Sequence, residues 1–369
     1  MEKSQRRFLS ENSSKKIFLL SSLVISFGIL LVTVGGEWDI TNHLLNKPET
    51  FFSPSHALLY TGVAIALVGT VLMFTRWYKL SSDEKSKYRF PVKLGVMGIS
   101  ILVVAGPIDF AWHSNFGLDG LLSPPHQILI SGLFLCAIGS MISILRFGMS
   151  HKCESYSIHH FLVVLAVLPV WMVSSGFLYS FSLPFSNTDY FDFNPNIYFA
   201  VVFATISMPF LSSTILVLSS KLANYKFGIL SITGILLLVI NTANSIVPNP
   251  ALAETIPFYM MTIIPFVVTD VMLAMSQKRA SIYAAGTILG STFYFLYFPL
   301  ITHVYNEVIY DRVVSGSVTS NVYFEMLPVV FPIIIGPAII LGIIGTRFAE
   351  NVLWKIHKKN VGVNLIEDV

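Results

Sequence analysis

The chain has little charge and almost no sulfur chemistry. Asp, Glu, Lys and Arg make up only 12% of its 369 residues, while 54% are hydrophobic. A soluble domain of this length cannot hide that much apolar surface, which excludes a cytosolic globular enzyme. Only two cysteines are present, Cys136 in an apolar run and Cys153 in a polar stretch, and no CxxC occurs. No disulfide between them is expected. There is no Walker loop, no GxGxxG-bearing βαβ unit and no HExxH, so the common nucleotide and zincin signatures are missing. The 12 Met form no M-x3-M ladder of the kind that lines a copper channel. No basic stripe with interleaved aromatics appears, and the net charge of +3 is a loop bias, so nucleic acid is not an expected partner.

What is present is a series of long apolar runs. Ten can each cross a bilayer as a helix, near 17–36, 55–75, 92–112, 125–146, 159–184, 196–219, 227–246, 253–276, 281–303 and 326–347. The fold class is therefore all-α: a polytopic integral membrane helical bundle of about ten transmembrane helices, with the lipid bilayer as partner. The first run is too long for a cleaved signal, and no A-x-A-like site follows it. All but Lys47 and Arg312 of the 23 Lys and Arg fall on one side of this topology. The positive-inside rule then places both termini, 1–16 and 348–369, in the cytoplasm of a multi-pass cell-membrane protein. The longest outer loop, about 304–325, reads as a flexible connector.

Two segments carry the same ligand spacing, D-x3-H-x12-H. One is Asp39, His43 and His56; the other is Asp109, His113 and His126. With nine Asp and nine His in the chain, chance predicts roughly 0.005 such triads, so two need a cause. If WDITNH stays helical, Asp39 and His43 lie one turn apart on one face. Ser53 and Pro54 suit the N-cap and first position of the next helix, which puts His56 in its first turn. Asp109, His113, Ser123, Pro124 and His126 repeat this arrangement. One carboxylate and two imidazoles suit copper, zinc or non-haem iron. The simplest count is one metal per unit, with a shared dinuclear site as the alternative. A lone interfacial His is ordinarily a polar-belt residue, and SP before a helix is ordinary capping; the doubling of the whole set favours ligation. Trp38 and Trp112 beside the ligands read as interfacial anchors.

Other polar residues are weaker signals. Asp270, within the eighth span, is a candidate for a proton or cation path because intramembrane carboxylates tend to be functional. His303 ends the ninth span and is a candidate extra ligand outside both triads. His159 and His160 read as interfacial, Asn241 and Asn244 as interhelical glue, and Gly286 with Gly290 as a close-packing pair. FNPNIYF at 193–199 and ETIPFYMM at 254–261 echo the two ligand-bearing helix starts. In that register Ser180, Pro184 and Ile197, then Asn241, Ser245 and Phe258, replace the ligands, which reads as hairpins repeated without them; the alternative is that Pro simply starts helices.

The doubled motif resembles the C subunit of the copper membrane monooxygenases, which oxidise ammonia, methane or short alkanes. In that family two successive helical hairpins carry D-x3-H-x12-H and then N-x3-H followed by a second His. FSPSHALLY is similar to the FTPAH-type motif of the archaeal C subunits, and LLSPPHQIL to their VPNH-type motif. The resemblance covers about residues 15–150, so 17–150 reads as a C-like four-helix unit and 151–347 as six further spans. It implies one copper site at Asp39, His43 and His56 and a neighbouring one at Asp109, His113 and His126. Asp109 stands where the family has Asn, and no cupredoxin-like β domain is present.

Three functions follow as expectations. The first is a copper-binding membrane protein related to that C subunit, oxidising a small substrate such as ammonia or a short alkane with O2. Its partners would be A- and B-type subunits or further copies of the chain, and its electrons would come from a quinol or another donor. The second is a non-catalytic copper-handling or transport protein, or an accessory subunit of a membrane oxidase. The third is a zinc-dependent intramembrane hydrolase, which would ordinarily gather its ligands around one cavity.

Overall fold

Runs of Leu, Ile, Val and Phe broken mainly at Pro, Gly and polar clusters fold as helices, since helices satisfy their own backbone groups in lipid. The computed structural model describes residues 2–44, 47, 50–117, 120–150, 156–182, 195–309 and 315–360. They form α1 (Glu2–Leu44), α2 (Pro54–Tyr78), α3 (Ser82–Phe116), α4 (Pro124–Ser150), α5 (Tyr156–Ser182) and α6 (Ile197–Leu222). Next come α7 (Ile229–Ile246), a 3-10 turn (Pro250–Thr255), α8 (Ile256–Met261), α9 (Ile263–Met275), α10 (Arg279–Ile309) and α11 (Gly316–Asn360). No strand occurs among the described residues. Among the described residues, nine helical segments are long and apolar enough to cross a membrane, so the chain is a multi-pass, membrane-embedded helical bundle. Helix α10 is not among the nine. Its Tyr, Ser and Thr are tolerated because Tyr294 and Tyr297 are buried in the bundle.

Two expected elements differ. The 253–276 span is broken into the 3-10 turn, α8 and α9. Pro265 has no N–H to give to the carbonyl four residues back, and the helix breaks at Thr262 just before it. The expected 304–325 connector is largely helix, because α10 runs on to Ile309 and α11 begins at Gly316. The α11 start is secured by Ser315, whose Oγ accepts from Val318 N at 3.3 Å, and by Glu254 Oε2, which accepts from Gly316 N at 2.9 Å. Arg312, Cys153 and Pro184 lie outside the described residues, as does the side chain of His159.

Helices α1 and α2 pack along each other, and α3 along α4, more extensively than any other pair. The cause is a set of glycines at which backbones touch. A Cβ on Gly28 would lie 2.6 Å from Ala66 N and 2.7 Å from Gly62 O. A Cβ on Gly98 would lie 2.7 Å from Gly132 O and 2.8 Å from Cys136 N. Gly69 meets α1, and Gly139 meets α3, in the same way. These pairs share the 70-residue offset of the ligands: 28 and 98, 62 and 132, 69 and 139. Helix α1 also packs on α4 as α3 packs on α2. The first four helices are thus two like hairpins pointing the same way, related about an axis along the bundle.

The rest of the bundle closes against α1 and α4. Ser22 Oγ lies 2.8 Å from Ser143 Oγ of α4, and Ser26 Oγ donates to Leu165 O of α5 at 2.6 Å. Helix α5 is the most enclosed, with Leu162 to Val173 almost wholly buried. Helices α2, α3 and α11 turn Leu, Val, Ile and Phe outwards, as lipid-facing helices do. Gly62→Val should therefore lower stability by about 1–3 kcal/mol through overpacking. Gly36→Ala, whose Cβ meets nothing within 4 Å, should be neutral or stabilising. Unfolding midpoints in mixed detergent micelles measure both.

Candidate metal centre

Helix α1 stays helical through WDITNH, so Asp39 and His43 face the same way, with Asp39 Oδ2 3.6 Å from His43 Nε2. The close α1–α2 approach brings in the first turn of α2, with His56 Nε2 3.0 Å from Asp39 Oδ1. In the second hairpin, Asp109 Oδ1 lies 3.7 Å from His113 Nε2 and 3.5 Å from His126 Nε2. Within each triad, one donor atom from every residue lies within 4.8 Å of the other two. Both sequence-derived triads are thus assembled.

The outward ring nitrogens define the chemistry. His56 Nδ1 lies 2.9 Å from Thr50 O, His113 Nδ1 2.9 Å from Gly117 O and His126 Nδ1 3.2 Å from Gly120 O. A carbonyl can only accept, so each Nδ1 carries the hydrogen and Nε2 is left to face the carboxylate. A neutral imidazole then sets an electron pair against a carboxylate oxygen, an arrangement that needs a positive centre between them. A proton relieves one such contact; a divalent ion relieves all contacts of a triad together. Backbone carbonyls holding the second ring nitrogen are the usual outer support of a metal-binding His. Gly117, at φ +80°, ends α3 and turns its carbonyl back to His113. A side chain there would be strained.

The expected N-caps occupy their positions but make no side-chain cap bond. Ser53 Oγ instead lies 3.2 Å from Ser55 Oγ. Ser123 Oγ has no hydrogen bond among the described residues, since Pro124 and Pro125 both lack an N–H. Ser55, which the spacing argument passed over, donates to Asp39 Oδ1 at 2.7 Å. Its counterpart at the 70-residue offset is Pro125, and the buried Asp109 Oδ1 accepts no hydrogen bond among the described residues. A buried carboxylate oxygen without a hydrogen-bond donor is suited to accept a cation.

The triads are neighbours. The His43 and His113 rings, equivalent in the two hairpins, meet edge to face at 5.4 Å between centroids. His113 and His126 are also 5.4 Å apart. An aromatic rim borders the set: Phe51 stands 5.0 Å from Phe110 and 4.9 Å from Tyr60, and Trp112 stands 4.6 Å from Phe116. Phe52, Phe110 and Phe116 are exposed.

The other candidates lie elsewhere. Asp270 is buried and caps α7 from α9: its Oδ2 accepts from Gly228 N, Ser231 N and Ser231 Oγ at 2.9, 3.0 and 2.7 Å. His303 on α10 belongs to neither ligand group among the described residues. His160 is buried near the start of α5, and Cys136 is a free, buried thiol in the α3–α4 contact. Pro257 does begin α8, and Asn196 caps α6 just after Pro195, its side chain accepting from Tyr198 N at 3.0 Å. Neither of these starts carries a ligand. Glu37, two residues before Asp39, was missed by the spacing argument; its Oε2 accepts from Asn244 Nδ2 at 2.7 Å.

No family model matches the chain, and no curated protein or solved structure matches it either. Ser55→Ala should weaken divalent-ion binding at the first triad by about 10–100-fold and spare the second. Pro125→Ser should tighten the second by supplying the missing hydroxyl. Competition titrations against a chromophoric chelator report both.

Proposed function

We propose that this chain is a copper-binding integral membrane protein that holds a pair of ions, one per Asp-His-His set, in a centre for O2-dependent oxidation of a small substrate. The observation that carries the metal reading is the set of Nε2 atoms facing Asp39 and Asp109 while three Nδ1 atoms are already engaged by carbonyls. Asp39, His43 and His56 would hold one ion, and Asp109, His113 and His126 the other. Copper bound there supplies one-electron redox chemistry toward O2. The absence of thiolate among these ligands favours Cu(II), zinc or iron over Cu(I), and the resemblance to the monooxygenase C subunit selects copper.

The chain's own residues do the rest. The carbonyls of Thr50, Gly117 and Gly120 fix the rings in the ligating tautomer, and Ser55 orients Asp39. The aromatic rim limits water and presents apolar surface to the bilayer, where an uncharged small substrate such as ammonia or a short alkane partitions. The distribution of Lys and Arg supports a cell-membrane orientation with both termini cytoplasmic and the centre on the outer side. Electrons would come from a quinol or another external donor, and A- and B-type subunits are the partners this function calls for.

Metal analysis and EPR on the purified protein test this proposal. Wild type should carry close to two copper ions per chain. His56→Ala and His126→Ala, which leave both rings of the His43–His113 contact in place, should each lose one. Zinc in place of copper, or no bound metal, would overturn the copper reading. Co-purification with A- and B-type subunits separates oxidation from copper handling.

A further inference from the structure

The two triads differ in how they are tied to the rest of the bundle. Glu37 is reached from α7: Asn244 Nδ2 donates to Oε2 at 2.7 Å. Asn241, with its amide oriented to suit both neighbours, accepts from Tyr297 OH at 2.8 Å and donates to Glu37 Oε2 and Oε1 at 3.0 and 3.1 Å. Tyr297 belongs to α10, so α1, α7 and α10 meet in one hydrogen-bonded cluster. A second tie lies one helix end away, where Lys47 Nζ donates to Pro248 O at 2.6 Å. The 70-residue counterparts of Glu37 and Lys47 are Pro107 and Gly117. Neither has a side chain able to make such a bond. At these positions the second hairpin therefore has no equivalent of either tie among the described residues.

Two residues along a helix turn the side chain by about 200°, so Glu37 and Asp39 point to nearly opposite sides of α1. Asp39 faces α2 and the ligands; Glu37 faces α7. Holding Glu37 fixes the rotation of α1 about its own axis. A rotation of roughly 10° at a ligand radius of about 6 Å moves a donor atom by about 1 Å, beyond what a preorganised site tolerates.

We infer that Glu37, Asn241 and Asn244 are positioning residues through which α7 and α10 set the geometry of the first metal site alone. The inference rests on the metal-binding reading of the triads. It gives the later helices a role at the centre and makes its two sites unequal. The first is held from both sides of α1; the second has Pro107 where the first has Glu37 and so lacks that side-chain tie to α7. No proton or electron transfer is involved, only the placement of Asp39 and His43.

Cu(II) titration with EPR on full-length protein tests this, using His126→Ala to isolate the first site and His56→Ala to isolate the second. Asn244→Leu should weaken copper at the first site at least tenfold and change its hyperfine pattern, with the second site unchanged. Glu37→Gln keeps an oxygen that accepts from Asn244 and should stay within about threefold of wild type. Lys47→Met, at an exposed position that threatens no core packing, should shift the first site in the same direction by less. Equal weakening of both sites would mean general loosening of the bundle and would overturn the inference, as would copper binding indifferent to Asn244→Leu and Lys47→Met. Intact wild-type protein that binds no copper would remove the metal reading, and this inference with it.

Discussion

Everything at the triad-bearing end of this bundle depends on two places where helix backbones touch. At Gly28 with Gly62, and at Gly98 with Gly132, the added atom of an alanine would already collide with the opposite main chain. In lipid, where apolar side chains gain little by leaving the solvent, such close approach is what holds helices together. It has a chemical consequence here. Ligands late in one helix and early in the next converge only if the helix axes are close, and these glycines set that separation. A carboxylate from α1 and an imidazole from α2 are 3.0 Å apart for this reason.

The same construction used twice, with both copies pointing the same way, brings equivalent residues together at the shared axis. His43 and His113 meet there. A pair of sites follows from the symmetry of the fold and needs no further design. What distinguishes the sites are departures from the repeat: Ser55 against Pro125 beside the carboxylate, Glu37 against Pro107, and Lys47 against Gly117. Each replaces a hydrogen-bonding side chain with one that cannot form the bond. The first site is the better supported and the second keeps an unsatisfied carboxylate oxygen.

The remaining helices enclose this unit asymmetrically. Helix α5 buries one side of the four-helix unit, while α2, α3 and the aromatic rim remain open to lipid. Asp270, which looked like an ion-path residue because carboxylates are rare in membranes, stabilises the α7 start instead. Burial alone does not mark a functional carboxylate when an exposed helix N-terminus lies within reach.

The sequence alone determined the class, most of the helices and the membership of the two Asp-His-His sets, because each rests on local information. Hydropathy sets the spans, and i, i+4 spacing with a Ser-Pro start sets which side chains face one way. The 70-residue glycine pairing was equally visible in the sequence but carried no meaning without knowing which helices touch. Where local rules compete, the outcome was less legible: Pro265 broke a span that its apolar character favoured, and polar residues near 316 began a helix rather than a loop. Only the tertiary structure decided that the two triads adjoin, that three Nδ1 atoms face carbonyls, and that Glu37 reaches Asn244, 207 positions away. The first and last of those facts depend on distances between segments remote in the chain, and the carbonyl contacts on how each interhelix turn closes; side-chain periodicity holds no record of either.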